Sequence, residues 1–211
     1  MNNNKQFNYI TIGYDCSPAA ALRALDMRDS ALPFDWVVSN IYAIYNCIQD
    51  DFKQYHTRLY FNKSHTRLID VYGFQFPHDY PLNDIENIDT NIIGEGVIGE
   101  ENGKTITENW NAYYPIVKEK YNRRIDRFRN IMKESIPIIV LCRYCNTNEV
   151  IKLHNFFTCH YNRNDIYFVN SCNEIINHDK IININTEENG NWNDSSLWKN
   201  AIDKTIDKIK I

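Results

Sequence analysis

The sequence predicts an α/β fold: a mostly parallel central sheet with flanking helices and an irregular, partly β excursion over residues 55–108. Two observations predict it. Short continuous apolar runs, IPIIVLC at Ile136–Cys142 and IYFV at Ile166–Val169 among them, have the composition of strands covered on both faces. Between such runs lie stretches whose apolar residues recur every three or four positions, the period of amphipathic helices. Strands alternating with helices favour a parallel sheet, because each crossover returns the chain in the same direction.

The elements follow in order. NYITIG (Asn8–Gly13) is a β-rich run that ends at a glycine. Ser17 and Pro18 form an N-cap and first-turn pair for an alanine- and leucine-rich helix reaching Leu25. Ile41, Ile44 and Ile48 in NIYAIYNCIQDDF mark a second helix. From Tyr55 to Glu108 the periodicity is weak. The extended pieces RLYF and RLIDVYGFQF and a turn at Asn102-Gly103 predict hairpins rather than a second domain, so residues 1–211 are read as one domain. The HTRL repeated at His56–Leu59 and His65–Leu68 is too short to mark a duplication. Tyr114, Val117, Tyr121, Ile125, Phe128 and Met132 define a long amphipathic helix. After the Ile136–Cys142 strand, NEVIKLHNFF reads as a helix leading into Ile166–Val169, and IININ as a further strand. Asp194 caps a last helix whose apolar face carries Trp198, Ile202, Ile206 and Ile209.

Composition narrows the function classes. A net charge of -4 argues against nucleic acid or an anionic membrane as the main partner. No apolar run approaches the roughly 18 residues of a membrane span, and MNNNKQFNY lacks a secretory pattern, so a soluble cytoplasmic protein is expected. In that reducing compartment Cys16, Cys47, Cys142, Cys145, Cys159 and Cys172 are expected as free thiols.

Reactive groups in such a sheet collect at the carboxyl ends of its strands. Cys16 lies there, where a helix N-terminus favours the thiolate, which is the nucleophilic form. The competing reading is a small residue that merely tolerates the turn. A nucleophilic cysteine needs a base. His78, in VYGFQFPHDYP, sits in a loop ordered by aromatic residues and prolines; otherwise it is a surface histidine beside an acid. His56 and His65 stand in polar, charge-mixed stretches, His154 in a helix, and His160 and His178 in loops. Asp79 points to the opposite side of an extended chain from His78, which makes it a substrate-binding candidate rather than the imidazole's orienting group. Asp35 in LPFDWVV, between two large aromatic residues, is the candidate for that orienting role, with a turn cap as the alternative. Arg143 emerges at a strand's carboxyl end. There it binds a substrate carboxylate or phosphate, or an oxyanion, unless it forms a salt bridge with Asp15 or Asp35.

Three other signals carry less. GEGVIG spells a dinucleotide fingerprint, but no strand precedes it, no helix follows, and Glu95 and Glu100 repel a pyrophosphate. CRYC has zinc-ligand spacing, with Cys159 and His160 as conceivable partners, yet no second C-x-x-C exists; neither metal nor cofactor is predicted. KEKYNRRIDRFR reads as a solvated helix face with a Glu119–Arg123 pair; the alternative is that Arg124 and Arg127 reach in and brace the active-site loop.

IGYDCSPAAALRALDMR, LPFDWVV, the His78-Asp79 pair, YYPIVKEKYNRRIDRF, IIVLCR and the tryptophans Trp192 and Trp198 together resemble a family described as papain-like cysteine peptidases, found in bacteria and large DNA viruses. The resemblance implies Cys16 as nucleophile and His78 as base, and a cytoplasmic setting, the host's for a viral protein. Asp15 stands where that family commonly has asparagine, adding negative charge beside the thiol. A papain-like fold places its cysteine on a long helix and its histidine on a later antiparallel sheet. A cysteine directly after the first strand is similar instead to the placement of serine in certain esterases. The expected activity is a cysteine hydrolase, peptidase or thiol esterase, acting on a protein, peptide or acylated glycan. A glycan-related transferase, or a non-catalytic binding domain, is the alternative use of the same strand-end pocket.

Overall fold

The computed structural model describes residues 6–83, 104–144, 146–185 and 194–210. In chain order its elements are β1 (Asn8–Gly13), α1 (Ser17–Ala24), α2 (Ile41–Gln49), β2 (Tyr60–Phe61), β3 (Leu68–Ile69), β4 (Gln75–Phe76), a 3-10 turn (Trp110–Ala112), α3 (Tyr114–Lys133), β5 (Ile138–Arg143), α4 (Thr147–His160), β6 (Ile166–Ser171), β7 (Ile181–Ile184) and α5 (Ser195–Ile209). The turn expected at Asn102-Gly103, the GEGVIG segment, Cys145 and Trp192 lie outside the described residues.

Four strands form a parallel sheet in the order β1-β5-β6-β7, and β2-β3-β4 form a small antiparallel one. The unbroken apolar runs have a direct cause: alternate side chains enter two different cores. Ile10, Ile12, Ile138, Val140, Cys142 and Phe168 pack with residues of α2, α3 and α4. On the other face, Ile139, Leu141 and Val169 meet Ala21 and Leu22 of α1 and Trp198, Ala201 and Ile202 of α5. Each fully buried aliphatic or aromatic side chain contributes about 1.5–3 kcal/mol. No helix among the described residues is long and apolar enough to cross a membrane.

The two sheets are joined at the carboxyl end of β1. The N–H of Ser39 donates to Gly13 O at 2.8 Å, extending the edge at β1. Its neighbour Val38 exchanges two backbone hydrogen bonds with Gln75 of β4, at 3.0 and 2.9 Å. The strip Val38–Ser39 therefore splints the end of β1 to β4, and the residues that follow each strand leave from adjacent points.

Two local expectations are corrected. The cap of α1 is Cys16 rather than Ser17, which is already helical; Asp15 accepts the Ser17 N–H at 2.9 Å and its hydroxyl at 2.7 Å. His56 is not in polar surroundings. It is fully buried, with its ring stacked between Tyr80 and Tyr114 and set edge-on to Phe76. Burial holds its imidazole down at about 3, hence neutral, and its Nε2 lies 3.0 Å from the Tyr80 hydroxyl.

Candidate active site

Cys16 stands three residues beyond Gly13, and His78 three residues beyond Gln75. Because Val38–Ser39 ties those two points together, the thiol and the ring meet: Cys16 Sγ lies 3.5 Å from His78 Nε2. Cys16 caps the eight-residue α1 and is partly exposed, so it is accessible. Gly13 permits the close approach of β1 to β5 at this end. A Cβ there would meet the backbone N and O of Arg143 at 3.3 and 3.4 Å.

The negative charge beside the thiol is answered locally. Gly13 and Arg143 are register partners, which brings the Arg143 guanidinium to Asp15, with Nη1 to Oδ2 at 2.8 Å. The other carboxylate oxygen accepts from Ser17. Asp15 is thus ion-paired and hydrogen-bonded on both oxygens, which offsets much of its opposition to a thiolate. Of the two readings for Arg143, the geometry displays the salt bridge. The side chain is buried, lies 5.2 Å from the Tyr14 ring centroid and also approaches Ser17 Oγ at 3.4 Å.

Asp79 is 4% exposed and turned under the loop, away from solvent. It accepts from Lys120 Nζ at 2.5 Å and Tyr121 Oη at 2.8 Å, both from α3. Burial pushes its carboxyl up, but the Lys120 ammonium and the Arg124 guanidinium outweigh burial and hold it at about 2. Its place is that of an anchor for the peptide carrying His78, not of a group facing a ligand. The helix-face reading of α3 holds for Glu119 and Arg123, at 3.5 Å. It misses Lys120, which is buried; Arg124, offered as a residue that reaches in, is buried as well.

Asp35 is likewise buried. Its carboxylate accepts from the Leu32 N–H at 2.9 Å and from the Thr11 hydroxyl, with Arg28 Nε at 3.6 Å. Burial raises its carboxyl despite Arg28 and Thr11. These partners all belong to β1 and the loop after α1, which is the work of a turn cap. Next to it Trp36 has φ +63°, a left-handed conformation that is an outlier for so bulky a residue and costs roughly 1–2 kcal/mol. That conformation lays the indole on Ala19, Ala20 and Cys16, with the His78 ring edge-on at 6.4 Å between centroids. Trp36 is the wall of the site. Only its neighbour Asp35 was singled out in the sequence, because a tryptophan ordinarily reads as core. Arg127 braces this loop as anticipated, its Nη1 donating to Ala31 O at 3.2 Å.

The conceivable zinc set is not assembled. Cys142 is buried at the carboxyl end of β5, whereas Cys159 and His160 lie at the far end of α4, about 20 Å along that helix.

A parallel α/β sheet, helices on both faces, and a thiol in contact with an imidazole where its first strand gives way to a helix: these define a class of α/β protein with a cysteine–histidine pair. Within that class the chain belongs to the family described as "Putative papain-like cysteine peptidase (DUF1796)", whose model matches residues 7–180. The match takes in Cys16, Asp35, His78, Asp79 and Arg143 and ends before α5. No curated protein and no solved structure matches the chain.

Proposed function

We propose that this protein is a cysteine hydrolase in which Cys16 is the nucleophile and His78 its base. The observation that carries the reading is the 3.5 Å contact between Sγ and Nε2 at a partly exposed helix N-terminus. His78 takes the thiol proton as sulfur attacks an acyl carbonyl, forming a C–S bond. As the carbonyl re-forms, the bond to the leaving group breaks and His78 returns the proton to it. Water, deprotonated by the same ring, then releases the acid and restores the thiol. Asp79 and Trp36 position the imidazole, Asp79 through its anchor on α3 and Trp36 through its ring. Asp35 supports the loop that carries Trp36, and Arg143 keeps Asp15 from opposing the thiolate.

Two features bear on the bond cleaved. Chain order, cysteine before histidine, and a histidine just past a small antiparallel sheet favour a peptidase. A nucleophile directly after the first strand of a parallel sheet favours an esterase, acting on acyl groups of proteins or glycans. The test for either is acylation of the thiol. Under p-nitrophenyl acetate, intact-mass and peptide analysis is expected to find an added acetyl group on Cys16, lost again on standing. His78→Ala is expected to slow that acylation at least 100-fold, the usual scale for a general base. The exposed Cys159 is the internal reference. Acetylation of Cys16 no faster than Cys159 would reject the reading.

A further inference from the structure

Five cationic side chains, Arg23, Arg28, Lys120, Arg124 and Arg127, gather near two carboxylates, Asp35 and Asp79, in a chain whose net charge is -4. Lys120 is taken by Asp79 at 2.5 Å, and Arg28 stands 3.6 Å from Asp35. Arg23, Arg124 and Arg127 are left without a carboxylate partner within salt-bridge distance among the described residues. Arg124 is 3% exposed, lies over the Tyr121 ring, and its Nη1 meets no acceptor among the described residues. Arg127 reaches only the neutral Ala31 carbonyl. Arg23 is exposed and its guanidinium carbon lies over the Trp36 ring, 4.5 Å from the centroid, while that of Arg28 approaches the same ring at 5.8 Å.

Cys16 and Arg23 are seven positions apart, close to two turns, which places them on one face of α1 about 10 Å apart. Ala19 and Ala20 lie between them, packed with Cys16 under the Trp36 indole, and that indole meets His78 edge-on. One aromatic surface thus runs from the thiol and imidazole to the guanidinium. Stacking on an indole holds a guanidinium flat while its in-plane N–H donors stay available to an oxyanion.

The geometry points to an anion subsite at Arg23 and Arg28, so that the acyl substrate carries a carboxylate or phosphate about two helical turns from its scissile carbonyl. This rests on Cys16 as the nucleophile, and its test separates the two ideas. Two reagents of equal length, 4-(iodoacetamido)butanoate and 4-(iodoacetamido)butanamide, alkylate a thiolate in the same way. An S–C bond forms as C–I breaks, iodide leaves, and the thiol proton passes to His78. The wild-type protein is expected to react about tenfold faster with the carboxylate, the effect of one or two charge-assisted hydrogen bonds. That ratio is expected to fall to near 1 in Arg23→Gln and to shrink in about 0.5 M KCl. Lys152→Gln, an exposed charge removed from α4, is expected to keep it. A matched phosphonate, 3-(iodoacetamido)propylphosphonate, that reacts faster still also supports the subsite and names phosphate. A wild-type ratio at or below 1 for both anionic reagents overturns the subsite. Slow labelling by every reagent with the ratio still near ten would reject the nucleophile and leave the subsite standing.

Discussion

Neutralising Asp79 isolates how His78 is held. Asp79 and Lys120 are 4% and 3% exposed and meet at 2.5 Å, so Asp79→Asn leaves an ammonium buried without its counter-charge. Removing one member of a buried ion pair costs about 3–5 kcal/mol, which for a chain of this size lowers Tm by about 10 °C. The sign with pH follows from the folded value of about 2, below the usual 3.8. Stability from this carboxylate is present above about pH 4 and is lost as pH falls through about 2. Circular dichroism during thermal and urea unfolding at pH 7 reads the first effect, and urea midpoints between pH 5 and 2 read the second. Because Asp79 follows His78 in the chain, its release also frees the imidazole. Alkylation of Cys16 by iodoacetamide, referenced to Cys159 in the same sample, is expected to fall toward the rate of His78→Ala. Asp79→Leu combined with Lys120→Met, apolar on both sides, is expected to recover most of the stability. If Asp79→Asn unfolds within 1 kcal/mol of wild type and Cys16 keeps its alkylation rate, the anchor argument is wrong.

Other outcomes follow from single contacts. Gly13→Ala forces β1 from β5 at Arg143, and urea denaturation is expected to show a loss of about 1–3 kcal/mol together with slower Cys16 alkylation. Ser39→Ala strips the Tyr144 hydroxyl of a partner at 3.0 Å in a buried setting, at an expected cost of about 1–3 kcal/mol in the same assay. His56 has a folded value of about 3 against an ordinary 6.5, so the unfolded chain protonates first and stability falls as pH drops below about 6.5. Between pH 6.5 and 5 this group alone accounts for about 2 kcal/mol. Comparing urea midpoints at the two pH values, His56→Asn, whose short side chain tolerates φ +53°, is expected to lack that difference.

The elements of the parallel sheet were legible in the sequence because their signals are local. The apolar run at Asn8–Gly13 matches β1 residue for residue, and the three- and four-residue spacing from Tyr114 matches α3. Asp194 caps α5 as read, its side chain accepting from the Ser196 N–H. Cys16 was legible for the same reason, since a strand, a turn and a helix start occupy one contiguous stretch. The excursion was legible only in outline: RLYF and RLIDVYGFQF contain β2, β3 and β4, which pair as the expected hairpins, but each strand is two residues long, too short to leave a periodicity that fixes its ends.

What the sequence determined by itself, then, is the α/β alternation and the position of a thiol at the first strand's end, because backbone period and capping depend on neighbouring residues alone. The tertiary structure decided that His78, 62 residues further on, is the ring that meets this thiol. It also decided that Asp79 and Lys120 bury their charges together and that Asp15 is answered by Arg143. Each of these is a long-range pairing, made when Val38–Ser39 splints two sheets and α3 packs beneath the loop. The burial or charge balance that gives each group its chemistry exists only once those surfaces have met.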